Sequence, residues 1–200
     1  MQPIEQILTI PRSLFEQHGS FQGLHIGLDG YAPLMDPANH TFVPRPLAEE
    51  DFTLKQIIPY VLVHSEGKIL RFVRTKKAGE ARLHDKASIG FGGHVNDGDG
   101  SIVEGISREI HREELKLTSE PVITQVALLN DDSNDVGRVH LGLVCIADVE
   151  AQIARSDDMS IAGIEFLTID QLHAEFERLE NWSQICLSRI TELLQLLPSK

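Results

Sequence analysis

Two glutamates, Glu109 and Glu113, stand one helical turn apart where the surrounding pattern requires apolar side chains. Ile102, Ile106 and Ile110 mark the apolar face of a predicted helix. At about 100° per residue, Glu113 falls about 20° and Glu109 about 60° from the centre of that face. Because burying an unpaired carboxylate costs several kcal/mol, either a basic side chain or a bound cation must compensate the two acids.

A glycine-rich loop, SIGFGGHVNDGDG, precedes this helix and has five glycines between Gly90 and Gly100. Such a density predicts unusual backbone angles or a close approach to another group. Ser101 is the predicted N-cap, with Glu104 completing a capping box, and the helix is predicted to continue to Leu117. Carboxylates one turn apart, beside a loop whose carbonyls can approach closely, predict a site for a hard cation, Mg²⁺ or Mn²⁺.

Strand and helix patterns flank the loop and helix on both sides. IIPYVLVH and ILRFVRT, joined by the turn SEGK, predict a hairpin, and VITQVALLN and VHLGLVCIADV predict two further strands. Helical periodicity returns over 169–197, with a break near Glu180 and Asn181. This order predicts an α/β sandwich with a mixed sheet between helices.

The prolines of residues 1–55 predict an irregular lead. It has too few periodic apolar positions to bury a core alone, so we expect it to pack on the core or on a partner subunit, with residues 56–200 as the main domain. A net charge of -12 argues against a protein that binds extended nucleic acid. No apolar run approaches the length of a membrane span, and we expect a cytoplasmic protein. Cys145 and Cys186 are predicted to pack in the core.

The segment GGHVNDGDGSIVEGISREIHREELKL resembles the Nudix box, whose pattern is G-x5-E-x7-R-E-u-x-E-E-x-G-u, with u aliphatic. Arg108, Glu109 and Ile110 match R-E-u, Gly93 matches the opening glycine, and Asp99 stands in place of the first glutamate. The resemblance covers roughly residues 55–197. It implies the Nudix α/β/α sandwich, with the box forming a loop-helix-loop.

Two alignments of the box remain open after Ile110. Ungapped counting places Arg112 on the first glutamate of the E-E pair and Glu113 on the second. One inserted residue, which in a helix is a π-bulge, instead assigns Glu113 and Glu114 to that pair. Both alignments keep Glu109 and Glu113.

The resemblance implies a metal-dependent hydrolase of a phosphoanhydride, in a nucleoside diphosphate linked to another moiety. Glu109, Glu113 and Glu114, with the carbonyl of Gly93, would hold Mg²⁺ or Mn²⁺. Arg108 would orient the glutamates by an ion pair. The substrate would be a small phosphorylated molecule, and a homodimer is expected.

The alternative function is that of a Nudix-fold module that binds or senses nucleotides with weak or no turnover, which Arg112 at a glutamate position favours. A third possibility is a structural protein whose buried acids pair with internal arginines. The stretches FVPRPLAEEDFTLKQIIPY and LLNDDSNDVGRVHLGLV also resemble a bacterial Nudix branch labelled as phosphoesterases.

Arg74, Arg82 and His94 flank the box and are the candidate substrate-binding residues, although each also suits an exposed or turn-capping role. Structural roles are favoured for a further set of polar and aromatic residues: Asp131, Asp132, Asp135, His140, Glu165 and Trp182.

Overall fold

The computed structural model describes residues 4–74, 86–108, 115–117, 121–150, 154–155 and 161–198. The strands are β1 (Gln6–Pro11), β2 (Gly23–Ile26), β3 (Thr41–Pro44), β4 (Leu54–Ser65), β5 (Lys68–Arg74), β6 (Ala87–Ser88), β7 (Gly90–Gly92), β8 (Lys116–Leu117), β9 (Val122–Asn130), β10 (His140–Asp148), β11 (Ala154–Arg155) and β12 (Ile161–Thr168). The helices are α1 (Arg12–Gln17), α2 (Arg45–Ala48), α3 (Ile102–Arg108), α4 (Asp135–Arg138), α5 (Ile169–Ala174), α6 (Asn181–Ser188) and α7 (Ile190–Leu194). Short 3₁₀ helices cover Ala32–Met35, Pro37–Asn39 and Phe176–Arg178.

The main sheet has the strand order β12-β5-β4-β10-β9-β2. Its central pair, β4 and β10, is parallel, whereas β9 pairs with β10, and β5 with β4, in antiparallel fashion. The predicted hairpin of β4 and β5 is confirmed. Glu66 and Gly67 in its turn have φ of 48° and 75°, and two positive φ angles match the twist of a tight hairpin.

Apolar side chains cover both faces of the sheet. Ile57 and Val61 of β4 belong to one core cluster, which also contains Ile106 of α3. Leu62 of β4 belongs to the other cluster, together with Leu187 of α6. The predicted α/β sandwich with a mixed sheet between helices is therefore confirmed. Within the described ranges, no helix has both the length and the apolar character needed to cross a membrane.

Residues 4–53 are more regular than their proline content predicts. They contribute β1, which pairs with β3 and β4, and β2, which pairs with β9. The prolines lie where they interrupt few hydrogen bonds: Pro11 and Pro44 are the last residues of their strands, and Pro46 lies in the first turn of α2. These residues therefore extend the same sheet as the rest of the chain.

The start of α3 agrees with the predicted cap. Ser101 Oγ accepts the N–H of Glu104 at 3.2 Å, and its hydroxyl donates to Glu104 Oε2 at 3.0 Å. The predicted continuation of the helix to Leu117 is wrong, because Lys116–Leu117 form β8 and pair with β11 instead of continuing the helical hydrogen bonds. Residues 109–114 lie outside the described ranges.

We expect Phe15→Ala in α1 to lower the free energy of unfolding by about 3–5 kcal/mol, because truncating a buried phenylalanine leaves a cavity. Phe15 has 0% of its surface exposed and belongs to the same core cluster as Leu128 and Leu143 of the main sheet. Urea unfolding measures the change.

Phe42→Ala is the matched control, because Phe42 of β3 is 42% exposed. We expect this control to change the free energy of unfolding by less than about 1 kcal/mol. Equal effects of the two substitutions would contradict the packing of the lead described above.

Candidate functional site

A cleft of about 1230 Å³ opens beside the N-terminal halves of β4 and β10. Its walls come from the glycine loop, the end of α3, the loop before β10, the start of α6 and the region around α2. Four of the predicted site residues line it: Arg74, Gly93, His94 and Arg108. The other predicted site residues lie outside the described ranges: Arg82, Glu109, Glu113 and Glu114.

Arg108 joins the helix to the glycine loop. Its Nε donates to Asp99 Oδ1 at 2.6 Å, and its Nη2 donates to Asp99 Oδ2 at 2.9 Å and to the carbonyl of His94 at 2.9 Å. Asp99 Oδ2 also accepts the N–H of Asn96 at 2.8 Å. The guanidinium of Arg108 lowers the pKa of Asp99, so this carboxylate is charged at neutral pH. Asp99, the substitute for the first box glutamate, therefore anchors the loop to Arg108.

Glycines let the loop pass over Tyr60. A Cβ at Gly90 would overlap the ring of Tyr60, and one at Gly92 would lie 3.3 Å from it. Gly100, just before the helix, has a φ of +75°. The sequence predicted that these glycines allow a close approach or unusual backbone angles, and both are confirmed. Gly90 and Gly92 approach the Tyr60 ring closely, and Gly100 has a left-handed backbone.

His94 is held in one tautomer by Gln56. The amide nitrogen of Gln56 donates to the buried carbonyl of Ala48 at 3.1 Å, so its Oε1 faces the Nε2 of His94 at 2.9 Å. Because an amide oxygen only accepts, Nε2 carries the hydrogen. Burial, together with the charge of Arg45 and the neighbouring His140, lowers the pKa of His94 to about 4. The imidazole is therefore neutral at physiological pH.

Arg74 and Asn96 each have a buried side-chain atom that finds no hydrogen-bond partner within the described part of the chain. The atoms are Arg74 Nε and Asn96 Oδ1, and both residues line the cleft. Buried polar groups in native proteins are almost always paired, and the exceptions mark groups that await water, an ion or a ligand. A donor and an acceptor of this kind make the cleft suitable for a polar ligand.

Lys55 fixes the opposite wall. Its ammonium has no exposed surface and donates to Asn130 Oδ1 at 2.6 Å, to Asp132 Oδ1 at 2.7 Å and to the carbonyl of His140 at 3.0 Å. Arg12, from the lead, also contacts Asp132 at 3.2 Å. Asp132 therefore has a structural role, but it acts through ion pairs with Lys55 and Arg12 and not through the turn chemistry that the sequence predicted.

Other predicted structural roles are also confirmed. Asp131 accepts the N–H of Ser133 at 3.2 Å, as a turn residue does, and Cys145 and Cys186 are fully buried. Glu165 lies in β12 opposite Arg71 and is not among the residues that line the cleft.

Sequence reasoning missed Gln56 and Asn96. The only signal for Gln56 was a polar residue beside Lys55 at the start of an otherwise apolar strand. Asn96 gave no signal apart from its place in the glycine loop.

Among the described residues, no group of three His, Cys, Asp or Glu side chains is arranged to hold a metal ion.

Comparison with known proteins places this chain beside a bacterial relative. No family model matches the sequence. Protein YmaB of Bacillus subtilis (strain 168) is 35% identical over 195 residues, which cover 90% of this chain and 94% of YmaB. The chain belongs to the YmaB family.

Solved structures give the fold of this YmaB-family chain. Tm1382, a candidate Nudix hydrolase, superposes with a TM-score of 0.79 and 26% identity, over 95% of this chain and 100% of Tm1382. The Nudix domain of Shewanella oneidensis NrtR, solved with ADP ribose, has a TM-score of 0.53 and 12% identity, over 70% of this chain and 86% of that domain. The YmaB-family chain therefore has the Nudix fold, as the sequence resemblance implied.

The pKa of His94 predicts how the stability of this YmaB-family protein depends on pH. The value falls from about 6.5 in the unfolded chain to about 4 in the folded chain, so the unfolded chain binds more protons between these pH values. The contribution of His94 to stability is therefore complete above about pH 6.5 and is lost progressively as the pH falls towards 4, by up to about 3 kcal/mol.

Urea unfolding of the wild type and of His94→Gln at about pH 7 and about pH 4.5 measures this contribution. We expect the variant to lose less stability on acidification than the wild type. Equal losses would contradict the burial of a neutral imidazole.

Proposed function

We propose that this protein is a divalent-metal-dependent hydrolase that cleaves a phosphoanhydride, in a nucleoside diphosphate linked to another moiety. The observation that carries the proposal is the convergence of Arg74, Gly93, His94 and Arg108 on one cleft of about 1230 Å³. These residues come from β5, the glycine loop and α3, and they combine cationic groups with a neutral imidazole. The likeness to Tm1382 supports the same reaction class.

Oxygen donors are the groups that this site offers to a metal. Gly93 lines the cleft, and Asn96 nearby has a buried side-chain oxygen with no hydrogen-bond partner among the residues that the structure describes. Mg²⁺ and Mn²⁺ prefer such ligands, and we propose Glu109, Glu113 and Glu114, with the Gly93 carbonyl, as the metal-binding set. A bound divalent cation would neutralise diphosphate charge and make a bound water more acidic.

Arg108 acts as a positioning residue in this mechanism. Its guanidinium bonds to Asp99 and to the His94 carbonyl, so the last described turn of α3 is fixed against the glycine loop. Glu109 follows directly in the chain. Side chains that are held in place before a cation arrives need little reorganisation to bind it, which is the role that we propose for the contacts of Arg108.

Arg74 and His94 are the proposed substrate contacts within the described residues. The unpartnered Nε of Arg74 is a charged donor suited to a phosphate oxygen. His94 is neutral, so it contributes hydrogen bonding and not charge. Arg82, outside the described residues, is the second proposed phosphate contact. Small anionic substrates with two adjacent phosphates fit this combination.

A hydrolysis screen tests the function. Nucleotide sugars, dinucleotides and nucleoside triphosphates are incubated with the protein and Mg²⁺ or Mn²⁺, and product release is measured. We expect hydrolysis of at least one diphosphate-linked compound, and abolition by EDTA. Thermal protection by a nucleotide without product release would favour the alternative, a nucleotide-binding module. The ADP ribose bound to the NrtR domain makes that compound a useful member of the panel.

Glu113→Gln should remove activity while leaving the fold intact. We expect kcat/KM to fall by at least about 100-fold, because a charged metal ligand is lost. Apoprotein stability should stay level or rise, because the substitution neutralises a carboxylate that the sequence pattern predicts to lie on an apolar face. The matched control is Glu177→Gln, at an exposed position of the 3₁₀ helix Phe176–Arg178. Near-normal turnover of Glu113→Gln would overturn the site assignment.

Arg74→Gln should raise KM by about tenfold or more, since a charge-assisted hydrogen bond to phosphate is lost, with a smaller change in kcat. Stability should change by less than about 1 kcal/mol, because Arg74 Nε has no hydrogen-bond partner among the described residues and only the contact with the Phe72 ring is lost. Arg178→Gln, at an exposed arginine, is the control. Steady-state kinetics on the compound found in the screen gives both constants, and an unchanged KM would contradict the role of Arg74.

We also propose that the protein acts as a homodimer. Light scattering on the full chain tests this, and a monomer at micromolar concentration would contradict it.

A further inference from the structure

Trp182, the only tryptophan of the chain, forms part of the cleft wall. It is half-buried near the start of α6, and its ring meets that of Tyr60 edge to face, with centroids 5.4 Å apart and planes at 78°. β10 has Gly142 beneath the indole, and a Cβ there would lie 3.0 Å from Trp182 Cζ3. The absence of a side chain at Gly142 lets the indole lie close to the sheet.

One carboxylate holds the indole in place. Glu180 accepts the backbone N–H groups of Trp182 at 3.0 Å and Ser183 at 3.1 Å, and the Ser183 hydroxyl at 2.7 Å. The hydroxyl of Tyr60, the ring neighbour of Trp182, also donates to Glu180. A wall fixed by these contacts is preorganised to bind a flat group with little loss of side-chain entropy.

The polar groups around the indole are acidic. Glu180 lies two residues before it, and Asn181 donates its side-chain amide to Asp131; all three of these residues line the cleft. The first N–H groups of α6 are already satisfied by Glu180, so this helix end does not attract phosphate. Arg74 and Arg108 belong to β5 and α3. The surroundings of Trp182 therefore favour an uncharged or cationic ring over an anion.

We infer that Trp182 is the platform on which a planar aromatic ring of the substrate, such as a nucleobase, stacks. This inference rests on the proposed function for the placement of the phosphates, but the ring site itself is independent of catalysis. Aromatic heterocycles stack on a fixed indole face, and nearby carboxylates accept hydrogen bonds from exocyclic amino groups. Stacking on Trp182 thus favours the binding of diphosphates that carry an aromatic ring over the binding of diphosphates that carry only a sugar.

Tryptophan fluorescence of the full chain tests the ring site directly, because all of its emission comes from position 182. Adenosine, which has the ring but no phosphate, is titrated in EDTA, and ribose 5-phosphate, which has no base, is the matched probe. We expect saturable quenching by adenosine and unchanged emission with ribose 5-phosphate. Unchanged emission with adenosine at millimolar concentration would overturn the inference.

Calorimetry on variants gives a second measurement. Trp182→Leu should weaken adenosine binding by at least about fivefold, whereas Trp182→Phe should retain most of the affinity, because a ring remains for stacking. Phe42→Leu, at an exposed aromatic that does not line the cleft, should have no effect. Equal affinity of the wild type and Trp182→Leu would contradict stacking.

The two proposals fail separately. If adenosine quenches the emission but no compound of the panel is hydrolysed, the ring site is supported and the proposed hydrolase is overturned. If a nucleotide derivative is hydrolysed with a KM that Trp182→Leu does not change, the hydrolase is supported and the stacking platform is overturned.

Discussion

The buried ammonium of Lys55 is the interaction on which the arrangement of the cleft depends. It is enclosed at the start of the central strand and bonds to Asn130, Asp132 and the carbonyls of Gly137 and His140. Burial lowers the pKa of Lys55, and the hydrogen bond that its ammonium donates to Asp132 opposes that shift. Because an unpaired buried charge costs several kcal/mol, all four acceptors are constrained to stay in place. The loop between β9 and β10 is thereby fixed to the parallel pair at the centre of the sheet.

Paired charges also hold the other walls of the cleft in place. Asp99 and Arg108 join the glycine loop to α3, and Arg12 of the lead reaches the Lys55 cluster through Asp132. The walls are therefore held by interactions formed within the free protein. Arg74 Nε differs from these groups, because it has no hydrogen-bond partner among the described residues. Fixed walls with an unsatisfied donor are the arrangement expected of a preorganised anion site.

Local signals in the sequence predicted the elements that depend on local chemistry. The hairpin turn at Glu66 and Gly67 and the helix start at Ser101 follow from backbone preferences and capping within a few residues. The end of the helix could not be predicted in this way, since Lys116–Leu117 pair with Ala154–Arg155, far away in the sequence. The tautomer of His94 likewise depends on an amide that the fold brings from another segment. Periodicity carries no information about such contacts.

The most direct test of the central claim, a divalent cation held by the box glutamates in this cleft, is electron paramagnetic resonance of Mn²⁺ titrated with the full-length protein. We expect the wild type to bind Mn²⁺ stoichiometrically and Glu109→Gln to bind it at least about tenfold more weakly, since a charged ligand is lost. Glu177→Gln, whose carboxylate is exposed and does not line the cleft, should bind like the wild type. Equal Mn²⁺ affinity of the wild type and Glu109→Gln would contradict the assignment of the metal to this site.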